Sequence, residues 1–155
     1  MIAYLEMTEA IRNHLLSDED INTVVIGDLS QVDVAKQTMF PLAHLFVGST
    51  SFINGMVRFS VTVSTMDIVD INKNNTDKTS ESWKGHDNRQ YIQNTMLGVL
   101  ENLDKEIDRG DMADFGYEMI GDATAEPFED RFENLLVGWS MTFTLDVPNT
   151  VQNCP

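Results

Sequence analysis

The segment LLVGWSMTFTLDV, residues 135–147, decides the fold class because apolar and polar residues alternate along it. Every odd-numbered position is apolar, seven in all, from Leu135 through Phe143 to Val147. A period of two is that of a β-strand with one apolar face and one polar face. Seven apolar side chains on one face need an apolar layer above them. We therefore expect this strand to be central in its sheet, with helices packed on Val137, Trp139, Met141 and Phe143.

The other strands are predicted from the same signal. Residues 56–69 begin with a clean alternation whose apolar phase changes after Thr65. A β-bulge near Ser64 and Thr65 would explain the change, because an offset of one residue exchanges the two faces. Asn54-Gly55 just before this segment is a strong hairpin-turn signal. Three further strands are predicted, at residues 23–26, 43–52 and about 117–120.

Two segments carry apolar residues three and four positions apart, which is the spacing of a helix with one buried face. They are residues 2–16 and about 88–109. Asp87 and Gln90 resemble a capping box at the start of the second helix, and Gly110 ends it. Two helices are too few for a doubly wound sheet. We expect a single α+β domain of order αβββαββ, in which two helices cover a mostly antiparallel sheet of four to five strands.

The composition disfavours several classes of function. Residues 1–155 include 10 Lys and Arg against 25 Asp and Glu, a formal net charge of −15. Binding to a phosphate backbone or an anionic membrane surface depends on basic residues, so neither is expected. Acidic residues interrupt the apolar N-terminal segment, so we expect no signal peptide and no membrane span there. Cys154 is the only cysteine, which excludes an internal disulfide and a cysteine-based zinc site.

The sequence holds no motif typical of an enzyme. Its three histidines stand apart, and neither a glycine-rich phosphate loop nor a nucleophile elbow occurs. We therefore expect no catalytic activity, no cofactor and no resident metal. One segment follows the ligand order of an EF-hand loop, from Asp70 through Asn72 and Asn74 to Glu81. Asn75 replaces the usual glycine and a strand precedes the loop, so coincidence is the stronger interpretation and weak calcium binding the alternative.

A long polar segment, residues 72–87, follows the third predicted strand and is predicted to be a loop or an extended arm. Trp83 is almost its only apolar residue. Aromatic side chains are enriched at the centres of protein interfaces. Trp83, Lys84, Asn74 and Asn75 are therefore candidates for a subunit or partner interface. The alternative is that Trp83 folds back on its own sheet.

Negative charge is concentrated between Glu101 and Glu133, where twelve acidic residues stand against three basic ones. One interpretation is a solvated helix face with acidic loops. The other is a negative surface that keeps another polyanion from binding. Under the second interpretation, Glu101, Asp104, Asp108 and Asp111 are candidates to line or rim a channel.

Three segments carry a resemblance to known proteins: KQTMFPLAHLFVGST at 36–50, VTVSTMDIVD at 61–70 and FENLLVGWSMTFTLDVPN at 132–149. They resemble the tail terminator, tail-completion and neck proteins of tailed bacteriophages, particularly phages of Bacteroidetes hosts, including crAss-like phages. The resemblance implies a small α+β virion subunit, assembled in the host bacterial cytoplasm, that forms a six- or twelve-fold ring at the head–tail junction or tail end. The portal or connector would lie on one side and the tail tube on the other.

The resemblance also implies a ring lumen through which DNA passes without specific binding. It carries over no individual site residue, because these families share a fold and not a set of reactive side chains. The competing hypothesis belongs to another class of protein. It is a monomeric interaction module with a weak calcium-binding loop at residues 70–81.

Overall fold

The computed structural model describes residues 3–27, 39–69, 88–131 and 135–149. The helices are α1 (Ala3–Ser17), α2 (Arg89–Arg109) and the single-turn α3 (Asp111–Asp114). The strands are β1 (Thr23–Ile26), β2 (Leu42–Ile53), β3 (Met56–Ile68), β4 (Glu118–Arg131) and β5 (Leu135–Pro148). Apart from the short α3, their order along the chain is the predicted αβββαββ.

The five strands form one mixed sheet in the order β1-β2-β3-β5-β4. β1 and β2 run parallel, and every other neighbouring pair is antiparallel. A parallel pair needs a connection that crosses over, and the chain between Ile26 and Leu42 is long enough to supply one. The predicted α+β class with two long helices is confirmed. β5 is paired on both edges, although the middle position of the sheet belongs to β3.

The main core lies between one face of the sheet and the two long helices. Val61 of β3 stands opposite Phe143 of β5, and Val63 stands opposite Met141. These side chains belong to one buried cluster with residues of both helices, among them Met7, Ile11, Leu15, Met96, Leu100 and Leu103. Trp139 is partly buried against this cluster, and its Nε1–H donates to the carbonyl oxygen of Gln93 at 2.8 Å. The predicted apolar face of residues 135–147 is therefore confirmed.

The apolar residues Met66 and Ile68 lie on the opposite face of the sheet. β3 pairs with β5 along its whole length without a shift in register, so the bulge predicted near Ser64 and Thr65 is wrong. The change of apolar phase has another cause: the far end of β3 is buried on its other face. A second, smaller cluster forms there from Phe40, Leu42, Met66 and Leu136, with Ile68 packed against it. Register shifts occur instead within β2 and β4.

The local signals at element ends are partly confirmed. Asn54-Gly55 joins β2 to β3, and Gly55 has a φ of 73°, a conformation that favours glycine. Gly110 ends α2, and its N–H donates to the carbonyl oxygen of Glu106. The helix begins at Arg89, and its N-cap residue Asn88 makes no side-chain capping hydrogen bond. The predicted capping residue Asp87 lies outside the described residues.

β4 is much longer than the strand predicted at about 117–120. It runs from Glu118 to Arg131 and is an edge strand of the described sheet. Gly121 and Pro127 interrupt its sequence, and acidic residues replace the apolar alternation that marks a half-buried strand. The alternation of apolar and polar residues that predicts β5 is therefore missing from β4, and the sequence did not predict the full length of β4.

Candidate functional site

The β2–β3 turn and the end of β5 lie together at one end of the strands. Ile53 stands opposite Met56, and Met56 stands opposite Pro148. The N–H of Asn149 donates to the carbonyl oxygen of Gly55 at 2.9 Å. These pairings define what we call the hairpin end of the protein.

Large apolar side chains are exposed at this hairpin end. The set, called here the hairpin-end patch, consists of Tyr4, Phe52, Ile53 and Phe115. Phe52 is 73% exposed and Phe115 is 74% exposed. The ring of Tyr4 lies 6.2 Å from that of Phe59, which places the start of α1 over this end of β3. Since apolar surface gathered in one region marks interaction sites, the patch is the leading candidate for an interface.

A groove of about 420 Å³ adjoins the patch between α1 and the chain that leads into β4. Phe115, Tyr117 and Pro148 line it, and Glu6 and Glu9 supply carboxylates. Burial, and secondly the negative charge of Glu6, raises the pKa of Tyr117 above its ordinary value of 10.0. The hairpin end therefore combines protruding apolar side chains with a concave, aromatic-lined neighbour.

Three of the four acidic residues predicted to face a channel lie along a second groove. Glu101, Asp104 and Asp108 of α2 line it together with Asp122 of β4, and its volume is about 470 Å³. Asp111 belongs to α3 beyond the end of α2, and it does not line this groove. Orientation toward a channel stays a prediction for all four.

The face of the sheet opposite the helices carries cross-strand polar pairs. The hydroxyl oxygens of Ser64 and Ser140 lie 2.8 Å apart, and the next pair along the strands joins two threonines at 3.2 Å. Nearer the hairpin end, Arg58 donates to both carboxylate oxygens of Asp146 at 2.7 and 2.9 Å. This bond raises the pKa of Arg58. The one basic side chain in these cross-strand pairs is thus neutralised by its neighbour.

The two described histidines have contacts that tie elements together. The Nε2–H of buried His44 donates to the carbonyl oxygen of Gly27, which holds the end of β1 against β2. Nδ1 of His14 lies 4.0 Å from a carboxylate oxygen of Glu106, which joins α1 to α2. Both contacts are consistent with structural roles.

The predicted interface residues Trp83, Lys84, Asn74 and Asn75 lie outside the described residues, as does the possible calcium-binding loop at 70–81. Within the described ranges, no group of three or more His, Cys, Asp or Glu is placed to hold a metal ion. No helix in that part of the chain is long and apolar enough to cross a membrane.

Sequence patterns did not reveal the hairpin-end patch. Phe52 is the last residue of the strand predicted at 43–52, and Phe115 lies outside every predicted helix and strand. Neither position signals exposure. One signal was present, because Phe52 and Ile53 directly precede the Asn54-Gly55 turn. Apolar residues at a hairpin tip lie where a covering helix is least able to reach them.

Comparison with known proteins finds no matching family model and no matching curated protein sequence. Two surfaces of the described residues remain as functional candidates, the hairpin-end patch and the groove between α2 and β4. The first is apolar and protruding, whereas the second is concave and acidic.

Proposed function

We propose that the protein is a structural subunit of a phage virion that assembles into a ring at the head–tail junction or tail end. In this role it joins the portal or connector to the tail and leaves a channel for DNA. The proposal rests on the resemblance to tail terminator and neck proteins, and the α+β fold of order αβββαββ is compatible with it. We assign it a structural and not a catalytic role.

Within the structure, the hairpin-end patch is the observation that supports assembly of the subunit. Burial of apolar surface is worth about 25 cal/mol per Å², so covering side chains as exposed as Phe52 and Phe115 favours association. A contact between two different surfaces of identical subunits produces a ring when the rotation between neighbours closes. The patch supplies one such surface on each subunit.

The charge of the protein supports a channel role. Each phosphate contact contributes roughly 1 kcal/mol, and such contacts repeated around a ring would hold DNA in place. A surface with a net charge of −15 instead repels the duplex. We therefore keep Glu101, Asp104, Asp108 and Asp111 as proposed channel residues.

Charge reversal of these four residues to Lys tests the channel proposal in assembled particles. We expect folding to be unchanged and genome release to be slowed, because lysines would bind phosphates of the passing DNA. Mapping of the four carboxylates to the outer rim of an assembled ring would contradict the channel role and leave solubility as their function.

Assembly itself is tested by light scattering coupled to size-exclusion chromatography, over a range of protein concentrations. We expect the unaltered protein to form oligomers and Phe52→Ser to shift them toward monomers. Tyr91→Ser is the matched control, because Tyr91 is 75% exposed but lies in the first turn of α2, away from the hairpin end. At a dilution where all three proteins are monomeric, the two variants should share the unfolding midpoint of the unaltered protein.

Electron microscopy of the oligomer distinguishes a ring from other assemblies. A closed ring of six or twelve subunits would support the proposal. A protein that is monomeric at every concentration would contradict it and favour the monomeric interaction module, for which calcium titration is the next measurement. Equal loss of assembly in the Phe52 and Tyr91 variants would show that the hairpin-end patch has no special role.

A further inference from the structure

Apolar side chains line the groove between α2 and β4. They include Leu97 and Leu100 of α2, Met119 and Ala125 of β4, and Met141 of β5, all of which line the groove of about 470 Å³. Leu100 and Met141 are buried in the main core, but Leu97 is 39% exposed. The groove therefore continues the apolar core outward to the surface, where another element can pack on it.

The carboxylates of this groove form a regular row. Glu101, Asp104 and Asp108 stand at positions i, i+3 and i+7, which lie on one face of a helix and span about 10 Å. Asp122 lines the same groove from β4, and none of the described residues that line it is basic. Glu101 forms an ion pair with Lys105 at 2.9 Å. Both side chains are exposed, so the pair contributes little to the stability of the protein. The other three acids form no ion pair with a described basic residue.

The structure of β4 favours a helix over a strand as the occupant. A register shift between Ile120 and Thr124 interrupts the strand beside the groove, and Gly121 within it has a φ of 73°. Pro127 provides no N–H for pairing. Bulges and prolines of this kind prevent the addition of another strand to a sheet edge.

We propose that the groove between α2 and β4 docks a basic amphipathic helix of a partner protein. Lys or Arg side chains at i, i+3 and i+7 on that helix would pair with the three carboxylates of α2, and apolar side chains would cover Leu97 and Met119. Nowhere in residues 1–155 do three basic residues stand at that spacing, so a second copy of this chain does not supply such a helix. This interaction does not depend on the ring proposed above. It is an alternative to the channel role of these three carboxylates, because a docked basic helix would cover and neutralise them.

The probe is a labelled synthetic helix with Lys at i, i+3 and i+7 and Leu between them. Its binding to the full chain is measured by fluorescence anisotropy at low salt. The test variant is Asp104→Asn with Asp108→Asn and Asp122→Asn. The control variant is Glu19→Gln with Asp20→Asn and Asp114→Asn. Each variant raises the net charge by three from −15, so long-range attraction falls equally in both. We expect a Kd about tenfold higher for the test variant and little change for the control.

A second pair of variants tests the apolar contact. Leu97 and Leu16 are both 39% exposed on helices, but only Leu97 lines the groove. Leu97→Ser should weaken binding about fivefold, whereas Leu16→Ser should leave the Kd unchanged. A matched peptide with Glu in place of Lys should not bind the unaltered protein.

Three outcomes would overturn the proposal. The first is that the Lys peptide does not bind the unaltered protein at low salt. The second is that the two triple variants lose affinity equally, which would show nonspecific attraction to an acidic surface. The third is that Leu97→Ser and Leu16→Ser have the same Kd, because the helix would then not enter the groove.

Discussion

Gly138 occupies a point in β5 where the backbone of β3 leaves no room for a side chain. A Cβ atom added to Gly138 would lie 1.7 Å from the carbonyl oxygen of Thr65 and 2.8 Å from the Cα atom of Met66. Real Cβ atoms are essentially never found closer than 3.0 Å to another heavy atom. Gly138→Ala therefore requires two paired interior strands to separate by more than 1 Å at this position.

The cost of this substitution follows from the nature of the obstructing atoms. Overpacking of a core usually costs about 1–3 kcal/mol, and the lower end applies where a flexible side chain can move aside. Here the obstruction is backbone in a hydrogen-bonded ladder, so it can relax only by disturbing the pairing of β3 and β5. We expect Gly138→Ala to lower the free energy of unfolding by about 3 kcal/mol or more.

Gly98→Ala is the matched control. Gly98 lies inside α2, and a Cβ atom there would have no heavy atom within 4 Å. Alanine is favoured over glycine in a helix by about 1 kcal/mol, so this variant should be stabilised. Urea unfolding followed by circular dichroism gives both free energies by linear extrapolation. A Gly138→Ala variant within about 1 kcal/mol of the unaltered protein would refute the close approach of the two strands.

Three further predictions concern the core, the groove at the hairpin end and the polar segment. Phe143→Ala should cost roughly 3–5 kcal/mol, and a loss below about 1 kcal/mol in chemical denaturation would contradict its position under the helices. The pKa of Tyr117 is higher in the folded state than its ordinary value of 10.0, so the folded state holds the phenol proton more tightly than the unfolded state. The free energy of unfolding should therefore fall as the pH rises above 10.0, and Tyr117→Phe should reduce that fall. Trp83→Ala should weaken assembly while leaving the monomer's unfolding midpoint nearly unchanged. Amides 72–87 should exchange hydrogen freely in the monomer and slowly in the assembly, and equal protection in both would contradict an assembly arm.

The acidic candidates show which part of their arrangement could be predicted from the sequence and which could not. The 3.6-residue period of α2 places Glu101, Asp104 and Asp108 on one face, so their common groove follows from spacing within a single helix. The contribution of Asp122 depends on where β4 lies beside that helix. The separation of Asp111 from the row depends on the break in the helix at Gly110. Neither of the last two facts is encoded in a local pattern.

The sequence by itself determined the elements whose geometry is local. The alternation of residues 135–147 specifies a strand with one buried face, the apolar stripe of residues 88–109 specifies a helix, and Asn54-Gly55 specifies the turn of a hairpin. In each case the side-chain period equals the period of the backbone, so a few neighbouring residues suffice.

Only the tertiary structure decided which elements meet. The parallel pairing of β1 with β2, the burial of Met66 on the second face and the full length of β4 arise from contacts between residues far apart in the chain. The collection of Phe52 and Phe115 at the hairpin end has the same origin. Hydrophobic periodicity predicts that one face of an element will be buried. It does not predict which element will cover that face, because the hydrophobic effect is non-directional.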